Sequence, residues 1–149
     1  MINFQHIQER SFTLTKQLIS ITVILTLLFC CGCSDKVPLT GKVTFTDDGS
    51  SLTTGTVCFV TEGFIARGHL KSDGTYKISS TGKDDGLPPG TYKVYLVDAA
   101  LLTEGKDGNF ITTPLVDSQY ENPNTSNIEC KVDAKTRQFD FTVERAGKR

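Results

Sequence analysis

The side chains with reactive potential in this 149-residue chain are few and unevenly placed. Three of its five cysteines crowd into Cys30-Cys31-Gly32-Cys33-Ser34, directly behind an apolar run at residues 18–29. The other two, Cys58 and Cys130, lie far apart in sequence. The histidines are His6 and His69. Nucleophilic catalysis needs a base within reach of a nucleophile, and one histidine beyond the apolar run offers little material for it. His69, between Gly68 and Leu70 on an expected strand, reads as a surface histidine on an outer sheet face rather than a general base. Two distant cysteines and one histidine do not have the spacing of a zinc site. Asp47-Asp48, Asp84-Asp85 and Asp107-Gly108-Asn109 lack the full spacing of a calcium loop and read as solvated turns. No catalytic residue, metal ligand or cofactor site is expected.

The front of the chain carries a different chemistry. Arg10 and Lys16 precede the apolar run, and small and polar residues follow it at once. A basic segment, a short apolar core and a small residue before a cysteine describe an export signal. A spanning helix needs about 20 apolar residues, and this run stops short of that. Gly32-Cys33-Ser34 looks like a bacterial lipobox, in which the cysteine receives lipid and becomes the mature N-terminus. Cys33 is the expected lipidation site, with Cys31, three residues after Leu28, as the alternative. Acyl chains contribute about 0.8 kcal/mol per buried CH₂, enough in combination to hold a soluble domain at a bilayer. Removing residues 1–32 takes away Glu9, Arg10 and Lys16, so the formal net charge moves from −1 to −2. Neither value gives an electrostatic footprint for nucleic acid.

The remainder must supply the scaffold. Tyr76 and Ile78 share one face of an expected strand, and Tyr92, Val94 and Leu96 share one face of another. Such alternation marks strands with one buried side. Pro89 presets φ and Gly90 tolerates a turn between them. Similar patterns place strands at 39–46, 56–61, 64–71, 128–132 and 139–143. Val43, Phe45, Val57, Phe59, Leu70, Phe139 and Phe141 join Tyr76, Ile78, Tyr92, Val94 and Leu96 as the expected core. Cys130 should face inward with Ile128 and Val132, and Cys58 outward and partly exposed, leaving two free thiols. Residues 98–127 show no clean period, and a loop of that length is unusual in a compact domain.

The phrases DGTYKIS at 73–79 and GLPPGTYKVYL at 86–96 resemble the carboxypeptidase-regulatory-like, transthyretin-like β-sandwich domains of small bacterial lipoproteins. GKVTFTDDG at 41–49, GTVCFV at 55–60, YENPNTSNI at 120–128 and FDFTV at 139–143 fit the same pattern. The resemblance implies an all-β chain with a single seven-stranded transthyretin-like sandwich. The expected layout is a signal peptide at 1–32, a tether at 33–38, the sandwich at 39–144 and a flexible tail at 145–149. The expected role is a non-catalytic, lipid-anchored module of the bacterial cell envelope, facing periplasm or exterior. Its partners would be the membrane, through the lipid, and an envelope protein or glycan, with no nucleic acid. A small-molecule carrier of transthyretin type is the alternative. A hydrolase is more distant, because the hydroxyisourate hydrolases of this fold use several histidines and a C-terminal Tyr-Arg-Gly-Ser phrase. This chain ends Arg145-Ala146-Gly147-Lys148-Arg149.

Overall fold

The computed structural model describes residues 36–147. The expected signal peptide and Cys33 lie outside the described residues. Nine strands run in order: β1 (Thr40–Phe45), β2 (Thr56–Thr61), β3 (Phe64–His69), β4 (Thr75–Lys77), β5 (Gly90–Val97), β6 (Ala100–Glu104), β7 (Phe110–Pro114), β8 (Ile128–Val132) and β9 (Phe141–Val143). A 3-10 turn at Ser118–Glu121 accompanies them. The strands form a three-stranded sheet, β4-β1-β9, a four-stranded sheet, β3-β2-β5-β8, and a separate ribbon, β6-β7. The protein is an all-β sandwich. The described residues hold nine strands rather than seven, because the segment without a clean period supplies β6 and β7.

Alternation drives the two large sheets. In β5, Tyr92, Val94 and Leu96 are buried and the residues between them are more exposed. In β1, Gly41, Val43 and Phe45 are buried. Pairing in register brings these faces together, since a one-residue slip would turn each strand inside out. Val57 stands opposite Gly68 and Leu96, and Phe59 opposite Ala66 and Val94. Phe59 then reaches across the interior. Its ring lies 6.2 Å from Tyr76, 6.3 Å from Tyr92 and 6.0 Å from Phe139, centroid to centroid.

Nine of the twelve expected core residues are buried, and Leu70, Phe139 and Phe141 are only partly so. Leu70 falls just beyond β3, while Phe139 and Phe141 sit at the edge of the three-stranded sheet, where nothing covers their outer side fully. The core extends to residues the alternation did not include, among them Val37, Leu52, Leu87 and Val116.

Both ends of the domain are tied more firmly than expected. Within the tether proposed for residues 33–38, Lys36 and Val37 are held to the domain. Val37 is buried and exchanges backbone hydrogen bonds with Leu87. Lys36 Nζ lies 2.6 Å from the Asp85 carboxylate. That carboxylate also accepts the amides of Ser80, Thr81 and Gly82. Lys36 first, then these amides, hold Asp85 far below the usual carboxylate range. At the other end, the expected flexible tail is docked through Ala146. Arg145 bonds Asp47, Asp48 and Ser50, and its guanidinium lies 3.7 Å above the Phe45 ring. The Ala146 amide donates to Leu115 C=O at 3.1 Å.

Phe59→Ala should cost about 3–5 kcal/mol, the range for large aromatics truncated in a packed core. Phe141→Ala, for which alternation alone predicts the same loss, should cost less because its ring is only partly buried. Urea unfolding of both variants checks the order; equal losses would mean that Phe141 is as well enclosed as Phe59.

Candidate functional site

The groups with possible chemistry are dispersed across the sandwich. His69 ends β3, and its Nδ1 lies 2.9 Å from Thr56 Oγ1 on the neighbouring strand. Among the described residues, no three His, Cys, Asp or Glu side chains gather in a way that could hold a metal ion. The aspartate pairs serve their own turns. Ser50 donates to Asp48 from its backbone amide, and with Arg145 nearby the Asp48 carboxyl is lowered to about 2. Asp107-Gly108-Asn109 closes the β6–β7 ribbon, with the Gly105 amide donating to Asn109 C=O at 2.7 Å. Gly108 supplies the positive φ of 75° that this turn needs.

The two thiols are free and both are buried. Cys130 sits in the core opposite Tyr92, and burial pushes it up to about 11. Cys58 corrects the sequence expectation. Its phase is outward, as the register shows: its cross-strand neighbours are Arg67 and Tyr95, on the outer face of the four-stranded sheet. Yet only 1% of it is exposed. The Arg67 and Tyr95 side chains cover it and hydrogen-bond to it, and burial raises its thiol. An outward position flanked by two long side chains is not an exposed one. Neither thiol has the electropositive, accessible setting of a nucleophile.

What the surface does offer is the ribbon. Leu101, Leu102, Phe110 and Ile111 are 48%, 65%, 69% and 55% exposed. Glu104 pairs with Phe110 and Leu102 with Thr112, so Leu102 and Phe110 share one face. Leu101 and Ile111 share the other, since Leu101 pairs with Thr113 and Ile111 with Thr103. Both faces are therefore apolar. This also explains why the sequence pattern did not reveal two strands: alternation marks a ribbon with one wet side, and here adjacent residues are apolar in pairs. The turn phrase EGKDGN between LLT and FIT was the legible trace of a hairpin.

The base of the ribbon is fixed to the sandwich. Leu115 donates to Ala99 C=O at 2.9 Å, and Ala146 donates back to Leu115 C=O. Val116 bridges Arg145, which in turn holds Asp47 and Asp48 at the end of β1. The ribbon thus leaves the domain at the C-terminal end of β1. Val37, where the described chain begins to pack, lies before the N-terminal end of the same strand, beside Leu87. A six-residue strand separates the two ends by about 20 Å.

No family model matches the sequence, and no curated protein matches it. Among solved structures, the chain is similar to the major pilin subunit of Bacillus cereus at 14% identity, covering 74% of this chain and 30% of that one, with a TM-score of 0.44. It is also similar to a DUF3823 family protein from Bacteroides ovatus at 20% identity, covering 72% of this chain and 44% of that one, with a TM-score of 0.42. The chain spans less than half the length of either. Likeness at this level says nothing of what the chain binds.

Thiol reagents at pH 8 should label neither Cys58 nor Cys130 in the folded protein, and both after denaturation without reductant. Rapid native labelling of Cys58 would show that Arg67 and Tyr95 do not cover it in solution.

Proposed function

We propose that the chain is a non-catalytic, lipid-anchored module of the bacterial cell envelope that works by binding a protein partner through the β6–β7 ribbon. The observation that carries this reading is the exposure of Leu101, Leu102, Phe110 and Ile111 on both faces of one ribbon. Soluble domains seldom leave contiguous apolar surface uncovered unless something docks there. A two-stranded ribbon alone is marginal in water and gains from a partner that buries its faces.

The position of the ribbon narrows the occupant. Two residues, Ser34 and Asp35, lie between Cys33 and Lys36, so three chain steps give a reach of roughly 10 Å. Lipid on Cys33 would hold the Val37 end of the sandwich near the bilayer. The ribbon leaves the opposite end of β1, so its apolar faces point to a protein surface with an apolar groove rather than to the same bilayer. The signal-like front end and the resemblance to carboxypeptidase-regulatory-like lipoprotein domains support the anchor. Among the described residues both thiols are buried and His69 is bonded to Thr56, an arrangement that favours the non-catalytic reading.

Two measurements test the reading. Mass spectrometry of the membrane-extracted protein should find a lipidated N-terminal Cys33, and Cys33→Ala should abolish it; an unmodified mature terminus refutes the anchor. A photo-crosslinking residue in place of Phe110, activated in intact cells, should yield one discrete protein adduct that mass spectrometry identifies and that Leu102→Asp removes. Adducts only to lipid, or only to a second copy of the chain, would overturn the partner assignment.

A further inference from the structure

A second surface stands apart from the ribbon. Along β3 and just beyond it, Ile65, Arg67, His69 and Lys71 occupy alternate positions. Alternate residues of a strand face the same way, about 7 Å apart. Facing this row across a concavity of about 600 Å³ stand Lys77, Ser79, Ser80, Lys83 and Asp84. The floor is stitched by backbone: the Arg67 amide donates to Ser79 C=O at 2.9 Å, and the Ser79 amide donates back to Arg67 C=O at 2.8 Å.

The charge in this groove is segregated. Four permanent cations, Arg67, Lys71, Lys77 and Lys83, face a single carboxylate, Asp84. None of the four is in an ion pair within 4.0 Å among the described residues. The nearby Asp85 does not offset them. Its carboxylate is taken up by Lys36 and by the amides of Ser80, Thr81 and Gly82. Asp73 is hydrogen-bonded to Thr75 and also attracts Lys71, so it offsets part of that one cation's charge and leaves Arg67, Lys77 and Lys83. In a chain of formal charge −1, this local excess is a placement of charge and not a reflection of composition.

We propose that this flank binds a linear polyanion, a phosphate-bearing polymer whose charges follow the Arg67–His69–Lys71 row. The row's repeat of about 7 Å lets neighbouring side chains engage every second or third phosphate of an extended condensed chain. The lining contains no Phe, Tyr or Trp, and its one ring, the His69 imidazole, is held by Thr56. Stacking on bases or sugar rings therefore has no platform, and recognition must come from charge and from the Ser79 and Ser80 hydroxyls. This inference does not rest on the ribbon or on the lipid.

The test uses the full chain in detergent and a short inorganic polyphosphate as the probe, with fluorescence anisotropy as the readout. Engagement of four cations predicts that affinity falls by roughly 50- to 150-fold between 50 and 200 mM salt. Lys71→Glu with Lys83→Glu should weaken binding at least tenfold at the lower salt and flatten the salt dependence. Lys83→Gln alone, on an exposed loop, should lose severalfold and guards against a folding defect in the double variant. Lys106→Glu, at the ribbon tip, should change nothing. Unaltered binding by both groove variants overturns the proposal. So does affinity for phosphatidylglycerol vesicles without affinity for polyphosphate, which would assign the cations to a membrane surface instead.

Discussion

The sandwich depends on an empty space at Gly41. A side chain there is excluded, because a Cβ would lie 1.9 Å from the Phe139 carbonyl oxygen and 2.6 Å from the Tyr76 hydroxyl. The vacancy lets Tyr76 lie over β1 and donate to Phe139 C=O at 2.5 Å. It also lets the chain before β9 run beside β1, with Thr40 donating to Arg137 C=O and Phe139 donating to Thr40 C=O. Tyr76 is thus bonded to one neighbouring segment, paired with Gly41 on another, and in ring contact with Phe59 of the opposite sheet. Its burial raises the hydroxyl far above the usual tyrosine range, so the group stays a neutral donor. One missing methyl group lets the first sheet close and sets where the second sheet meets it.

On that frame the two ends of the domain are finished by charge. Lys36 and Asp85 fasten the chain entry beside Leu87, and Arg145 fastens the exit against Asp47, Asp48 and Phe45. Such solvent-facing pairs add little to global stability. Their effect is positional: they fix where the chain enters and leaves relative to β1. The ribbon inherits its placement from the second latch, and the cationic groove inherits the shape of its loop from the first, since Asp85 orders residues 80–82 by their amides.

The parts of this structure legible in the sequence are those where one side of a strand is dry and the other wet. Tyr92, Val94 and Leu96 declared β5 that way, and Val43 and Phe45 declared β1. Where that asymmetry fails, reading failed. The ribbon is apolar on both sides, so its strands had no period. Cys58 has the right phase, but its exposure is set by Arg67 and Tyr95 on neighbouring strands, which no single stretch of sequence can report. Arg145 looked like part of a frayed basic tail because its partners, Asp47 and Asp48, lie almost the whole domain away. The cationic groove was hidden for the same reason. Arg67 and His69 were visible as outward residues, but Lys77 and Lys83 join them only through the Arg67–Ser79 pairing.

The parallel pairing of β1 with β9 carries a consequence for how the chain is made. Val43, Thr44 and Phe45 find their partners in Phe141, Thr142 and Val143, nearly a hundred residues later. Contacts of such long separation must pay loop-closure entropy before they return any stability, which slows folding. A ribosome has to pass residue 143 before the first strand can be enclosed. Until then β1 lacks one of its two neighbours, and the nascent product stays open. Under the export reading proposed above, that delay keeps the chain open while it is threaded through a translocation pore.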